Sequence, residues 1–325
     1  MKLNPEAEGG GTARQDAFIL DIQRMSTEDG PGLRTTVFFK GCNLACPWCH
    51  NPESINRSGD LNWFPVKCMG CNICVSVCPQ KAISRNENGI RFNRSLCELA
   101  EGRQGCDICA ENCPKGAIEI KGSVMPVEKL AAVLVKDKAY FGADGGVTLS
   151  GGEALLQREA ALELARLLKA EGIHIALDTA GCYSFSTLEA LLPYIDLVLY
   201  DIKIFDSEDH KKFTGADNSL ILQNYKRLME KGTRVWVRTP VIKGATDGEE
   251  NIAAIGSFMA EAGLPEKWEL CAFNNLCRDK YERLDLDWAY KDSGLTEKAH
   301  IEKLTEIARR HFPGAVYTGA VVDKK

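Results

Sequence analysis

"TTVFFKGCNLACPWCHNPE", Thr35–Glu53, sets a short apolar run against three cysteines that fall within eight residues. Its first five residues are β-branched or aromatic, the composition of a buried strand, and a glycine follows at Gly41. Cys42, Cys46 and Cys49 then stand at a C-x3-C-x2-C spacing. Three thiolates are one too few to close a tetrahedral site or to ligate every iron of a four-iron cluster. Either a fourth ligand lies elsewhere, or the vacancy is the purpose, as an open position separates catalytic from structural zinc.

The other cysteines decide whether a fourth is available. Eleven of the fourteen lie between Cys42 and Cys113; Cys182, Cys271 and Cys277 lie outside and read as small buried side chains. Cys68, Cys71, Cys74 and Cys78 form C-x2-C-x2-C-x3-C-P, the run by which bacterial ferredoxins hold 4Fe–4S clusters. Cys97, Cys106, Cys109 and Cys113 repeat it with a lengthened first interval. In such pairs the last cysteine of each run crosses to the other cluster. The expected sets are therefore Cys68, Cys71, Cys74 and Cys113 for one, and Cys97, Cys106, Cys109 and Cys78 for the other. Both sets are complete, so neither lends a ligand to the first three. Zinc is the alternative, since paired C-x2-C spacings also build zinc ribbons. Residues 61–123 thus read as a ferredoxin-like insert, too poor in apolar residues for much core and stapled by its clusters.

A chain of 325 residues with 45% apolar and 26% charged content can bury a large core. The net charge of −5 offers no basic field for nucleic acid. No apolar stretch approaches the roughly 18 residues of a membrane span. Residues 1–17 begin Gly-rich and polar and read as a flexible tail. So many cysteines point to a reducing, cytoplasmic setting rather than to disulfides.

"TTVFF", "GVTLS", "IHIALDT", "DLVLY", "RVWVRT" and "WELCAF" read as strands. Helical patterns follow at Val127–Lys138, Arg158–Glu171, Thr187–Leu192, Leu220–Lys231, Glu249–Ala262 and Thr296–His311. This alternation predicts a parallel sheet with right-handed crossovers. Six such units make an α/β fold, a partial (β/α)6 TIM-like barrel over 18–60 and 124–325, with "GAVYTG" as a short edge strand. Chemistry in such barrels sits at the carboxyl ends of the strands.

Each motif of interest falls at such an end. In "VTLSGGE", Gly151 and Gly152 let a ligand approach the backbone before Glu153, or else make a plain turn. "ALDTAG" places Asp178 and Thr179 after the third strand, and "LYDIK" places Asp201 and Lys203 after the fourth. Carboxylates at neighbouring strand ends repel unless a cation lies between them; Asp178 as an N-cap and Lys203 as a surface lysine are the alternatives. Arg238 in "VRTP" can pair with a carboxylate there, or form a surface ion pair.

Together these residues resemble the activating enzymes of glycyl radical enzymes, in the radical S-adenosylmethionine superfamily. "STEDGPGLRTTVFFKGC", "WCHNPES", the two-cluster insert, "SGGEALLQ", "DIKIFDSEDHKKFTG" and "RTPVIKGATD" occur in the family's order. The resemblance implies three 4Fe–4S clusters, one of them binding S-adenosylmethionine at Cys42, Cys46 and Cys49. It places Trp48 and His50 beside the nucleoside, and Gly151, Gly152 and Glu153 at the methionyl amino group. Asp201, Ile202, Lys203, Arg238 and Asn274 belong to the cofactor pocket. It implies a monovalent cation on Asp178, Thr179, Asp201 and the Leu199 carbonyl, and Asp29 near the target peptide. Where relatives carry Tyr-His-Arg-Leu-Gly, this chain reads "AFNNLCRDKY", with uncharged Asn274 and Asn275.

The implied reaction passes an electron from reduced flavodoxin or ferredoxin to the cofactor-binding cluster. S-adenosylmethionine is cleaved, and a 5′-deoxyadenosyl radical takes hydrogen from a backbone glycine of a partner enzyme. Radical chemistry on a small molecule or another peptide is the alternative, and an electron-transfer ferredoxin with a docking barrel is a third reading.

Overall fold

The computed structural model describes residues 15–97 and 106–323; most of the N-terminal tail and the interval between Cys97 and Cys106 lie outside the described residues. The main sheet contains β1 (Asp16–Ser26), β2 (Arg34–Phe39), β3 (Ser123–Pro126), β4 (Gly146–Gly151) and β5 (His174–Thr179). It continues with β6 (Leu197–Asp201), β7 (Val235–Val241), β8 (Lys267–Ala272) and β9 (Val316–Thr318). The strand order is β9-β8-β7-β6-β5-β4-β2-β1-β3. Every pairing from β2 to β9 is parallel, while β1 runs antiparallel to β2 and β3 antiparallel to β1. The six expected strands are all present in sequential order, with Val316–Thr318 as the expected edge. The result is the open, partial (β/α)6 barrel.

Helices α1 (Val127–Val135), α2 (Arg158–Ala170), α3 (Phe185–Leu191), α4 (Ser207–Thr214), α5 (Ser219–Glu230), α6 (Glu249–Ala262) and α7 (Lys298–Arg309) accompany the strands. In α2 the buried residues Ala160, Ala161, Leu164, Ala165 and Leu168 fall on one stripe of a 3.6-residue period. They pack onto the outer face of the sheet, where Leu149, Leu177, Val198, Tyr200 and Val237 are fully buried. Strand alternation turns the intervening residues to the other face. Ladder register sets Asp178 beside Leu199, and Asp201 beside Arg238, which neighbours Glu269. At the carboxyl ends charge therefore lines the inner face, beyond a small apolar cluster of Ala176, Leu197, Leu199 and Trp236, while hydrocarbon lines the outer.

Three of the elements just named were not read from the sequence. β1 alternates buried and exposed residues at the sheet edge and carries charges. β3 is four residues long and needs β1 to pair with. α4 is nearly all polar and buries only His210 and Thr214. Its signals lie at its ends: the Asp206 carboxylate accepts from Asp209 N, and Gly215 closes it with φ +87°.

The insert sits between β2 and β3. Asp60–Trp63 pairs with Ile118–Lys121 and closes its base, and Ile83–Asn86 pairs with Gly89–Phe92. Two short helices, Ile73–Val77 and Ile108–Glu111, carry Cys74 and Cys109. Its separate small core joins Leu61, Trp63, Ile83, Ile90 and Ile118 to those two cysteines. Among the described residues no helix is long and apolar enough to cross a membrane.

Candidate active site

The loop after β2 is fixed by backbone pairing. Gly41 N donates to Ser54 O at 2.7 Å and Cys42 N to Ile55 O at 2.9 Å. The turn after β4 packs against it, with Gly152 N on Phe39 O at 2.9 Å and Glu153 N on Gly41 O at 2.7 Å. A Cβ on Gly151, where φ is +123°, would stand 2.2 Å from Phe39 backbone atoms. One on Gly152 would stand 2.2 Å from Gly41 O. The paired glycines thus first serve the seating of the cysteine loop, beyond any ligand approach.

Cys42, Cys46 and Cys49 open onto a cavity of about 280 Å³ at the carboxyl ends of the strands. Trp48, His50, Gly151, Gly152, Asp178, Thr179, Asp201, Lys203 and Arg238 line it too. Burial pushes the Cys42 thiol up to about 11 and the Cys49 thiol up to about 12, and raises Cys46 as well. Such thiols ionise against a strongly positive centre, which is what an iron–sulfur cluster supplies. Cys271 also lines the cavity, but its electrostatic partners are Arg238 and Thr318 rather than the three cysteines. The Nε2 of His50 is engaged by the Asn274 carbonyl at 3.1 Å.

Charges across the cavity are arranged in pairs. Lys203 contacts the Asp201 carboxylate, and although burial opposes its charge, Asp201 and Cys46 raise its pKa above the usual lysine range. Arg238 faces Asp178 at 3.7 Å and Glu269 at 3.3 Å. Burial, moderated by Arg238 and reinforced by the like charge of Asp201, pushes Asp178 up to about 6. Ser150 donates to Asp178 at 2.6 Å.

Other sequence-expected residues lie behind this lining. Glu153 is buried and turned to Thr179 Oγ1 at 2.8 Å and Ala180 N at 3.2 Å; burial pushes its carboxyl up to about 7. Ile202 and Leu199 are buried in apolar clusters. Asn274 reaches His50 through its backbone, while its own side chain accepts from Leu276 N. Asp29 accepts from the Ser26 and Thr36 hydroxyls, both at 2.6 Å. Among the lining residues that sequence reasoning passed over are Ser150, Cys271 and Phe273. Period-2 spacing from Glu269 marks Cys271 and Phe273 as inward, a signal available in "WELCAF".

In the insert, Cys68, Cys71, Cys74 and Cys113 line one small cavity. Cys109 has Cys97, Cys106 and Cys78 as its cysteine neighbours, and burial pushes its thiol up to about 12. Among the described residues no three His, Cys, Asp or Glu side chains converge as a single metal ion requires. Both groupings are sets of four cysteines, the number that a 4Fe–4S cluster takes.

Comparison with known proteins agrees with this chemistry. Residues 67–117 match a 4Fe-4S dicluster domain, and residues 102–254 match the radical SAM superfamily, beginning beyond the Cys42–Cys49 loop. The chain is 36% identical over 304 residues to indoleacetate decarboxylase activating enzyme of Tractidigestivibacter scatoligenes, covering 91% of this chain and 95% of that protein. It is 37% identical over 296 residues to trans-4-hydroxy-L-proline dehydratase activating enzyme of Clostridioides difficile, covering 90% and 95%. It is 40% identical over 301 residues to isethionate sulfite-lyase activating enzyme of Oleidesulfovibrio alaskensis, again 90% and 95%.

Proposed function

This chain belongs to the activating enzymes of glycyl radical enzymes, within the radical S-adenosylmethionine superfamily, and from that membership we propose its reaction and the residues that carry it. S-adenosylmethionine accepts one electron, its C5′–S bond breaks, and methionine leaves. The 5′-deoxyadenosyl radical takes one hydrogen atom from a backbone glycine of a partner enzyme, giving 5′-deoxyadenosine and a glycyl radical.

The observation that carries this reading is the trio of Cys42, Cys46 and Cys49, half-buried together at a cavity that Gly151, Gly152, Asp178, Asp201, Lys203 and Arg238 also line. When bound there, a 4Fe–4S cluster supplies the electron and an iron without a protein ligand. Gly151 and Gly152 leave room for the methionyl end, and Trp48 and His50 flank the nucleoside. Lys203 and Asp201 hold the charged end of the cofactor, and Arg238 keeps Asp178 ionised. Glu153 acts from behind, orienting Thr179 and Ala180. Asp29 stands on Ser26 and Thr36 to meet the target peptide. The barrel wall excludes water and fixes the glycine Cα near the 5′ carbon.

Finer features complete the proposal. A monovalent cation among Asp178, Thr179, Asp201 and the Leu199 carbonyl relieves the repulsion between the carboxylates that Arg238 and Lys203 already share. The insert, 61–123, holds two clusters on the sets Cys68/Cys71/Cys74/Cys113 and Cys97/Cys106/Cys109/Cys78. They receive electrons from reduced flavodoxin or ferredoxin and pass them to the barrel, 18–60 and 124–325. A reducing cytoplasm suits so many thiols. Mixing the reduced protein with S-adenosylmethionine and a glycyl radical enzyme tests the reading. An electron paramagnetic resonance doublet on the partner is expected; deoxyadenosine without a doublet on any such enzyme would favour a small-molecule substrate.

A further inference from the structure

The segment Cys277–Trp288, just past Asn274 and Asn275, touches both halves of the molecule. Towards the barrel it supplies four side-chain donors to one loop. Tyr281 Oη donates to the Cys49 carbonyl at 2.9 Å, and Trp288 Nε1 donates to the Pro47 carbonyl at 2.8 Å. Lys280 Nζ reaches the His50 carbonyl at 3.1 Å, and the Cys277 thiol points to Cys49 O at 3.8 Å. Tyr281 and Trp288 are buried and stack on each other, centroids 4.8 Å apart and planes within 9°.

Towards the insert the same segment is seated by other contacts. Asp285 pairs with Arg91, the Leu284 carbonyl accepts from Arg94, and Arg283 lies over the Phe64 ring at 4.9 Å. Arg94 also reaches Asp60, whose carboxylate holds the fully buried Lys40 at 2.7 Å, two residues before Cys42. The insert therefore grips the segment, and the segment grips the peptide planes around Cys49.

We propose that Cys277–Trp288 is a positioning strap, through which the insert sets the geometry and reducibility of the cluster that the Cys42–Cys49 loop would hold. Donors on the carbonyls beside a ligating cysteine fix its peptide planes and offset their negative ends. The second effect favours the more negative, reduced cluster. Tyr281 and Trp288 act through the loop and touch no reacting atom. The proposal rests on the radical reading above.

The test uses the full-length, anaerobically loaded protein. Tyr281→Phe deletes one oxygen from a stacked ring, and Asp285→Asn cuts the seat on the insert without touching the loop. The readout is the reduction potential of the cluster whose paramagnetic spectrum changes when S-adenosylmethionine is added, with iron content as the control. Both variants are expected to keep their iron and to move that potential to more negative values. Deoxyadenosine formation should fall about tenfold in Tyr281→Phe. Should Asp285→Asn lose iron, Arg91→Gln cuts the same contact from the other side. An unmoved potential in Tyr281→Phe overturns the proposal. So does a shift there with none when the insert contact is cut. A wild-type protein that makes no deoxyadenosine would instead overturn the radical reading itself.

Discussion

At Gly152 an added Cβ would meet backbone on two sides, Gly41 O at 2.2 Å and Ser54 O at 2.6 Å. Neither neighbour can rotate away as a flexible side chain would, so the cysteine loop itself has to shift. With the three clusters proposed above, Gly152→Ala is expected to lower iron content by about one third while the insert clusters stay. Iron analysis with the spectrum of the remaining clusters checks this. At the other end of the barrel, Arg34 is fully buried without a carboxylate in contact, donating to Thr148 Oγ1 at 2.7 Å, Val147 O at 2.8 Å and Pro31 O at 3.0 Å. Burial pushes its pKa down to about 10. Arg34→Met leaves those acceptors unpaired and should cost about 3 kcal/mol of stability, measured by anaerobic melting. Burial, then Arg34, lowers the pKa of His174 below its ordinary value. The folded state thus favours the neutral ring. Its contribution is complete above an unfolded pKa of about 6.5 and is lost as pH falls through the depressed folded value. His174→Gln should flatten the loss of melting temperature between about pH 6.5 and pH 5.

At the scale of elements, legibility followed burial. The six parallel strands are covered on their outer face, so their apolar runs stand out, and β4 to β8 lie where the sequence places them. β1 and β3 pair only at the antiparallel edge, where one strand's existence depends on the other, and local pattern carries no such information. The cavity was legible for a related reason. Chemistry-bearing residues at strand ends cannot be explained by packing, which singled out Asp178, Asp201, Lys203 and Arg238. Phe273 and Cys271 looked like core and were missed, although the register of β8 turns them inward. The insert packs only a handful of apolar side chains around its cysteines. Its fold therefore depends on its clusters. Cys74→Ser is expected to expose the insert to protease while the barrel resists. Fragments cut within residues 64–117, beside an intact C-terminal portion, are the mass-spectrometric signature.

Across the whole molecule, two bodies share a polar seam. Lys40, Asp60 and Arg94 tie the base of the insert to the strand that precedes the cysteine loop, and Tyr281 and Trp288 tie the loop to the far wall. The insert is thereby braced against the cysteine loop. None of this organisation has a use unless three thiolates hold a cluster that can reduce a sulfonium. The direct measurement is chromatography of the anaerobically loaded protein after dithionite and S-adenosylmethionine are added. Methionine and 5′-deoxyadenosine in equal amounts are expected, both abolished by Cys46→Ser. Intact S-adenosylmethionine, in a protein that carries its full iron, would contradict the account.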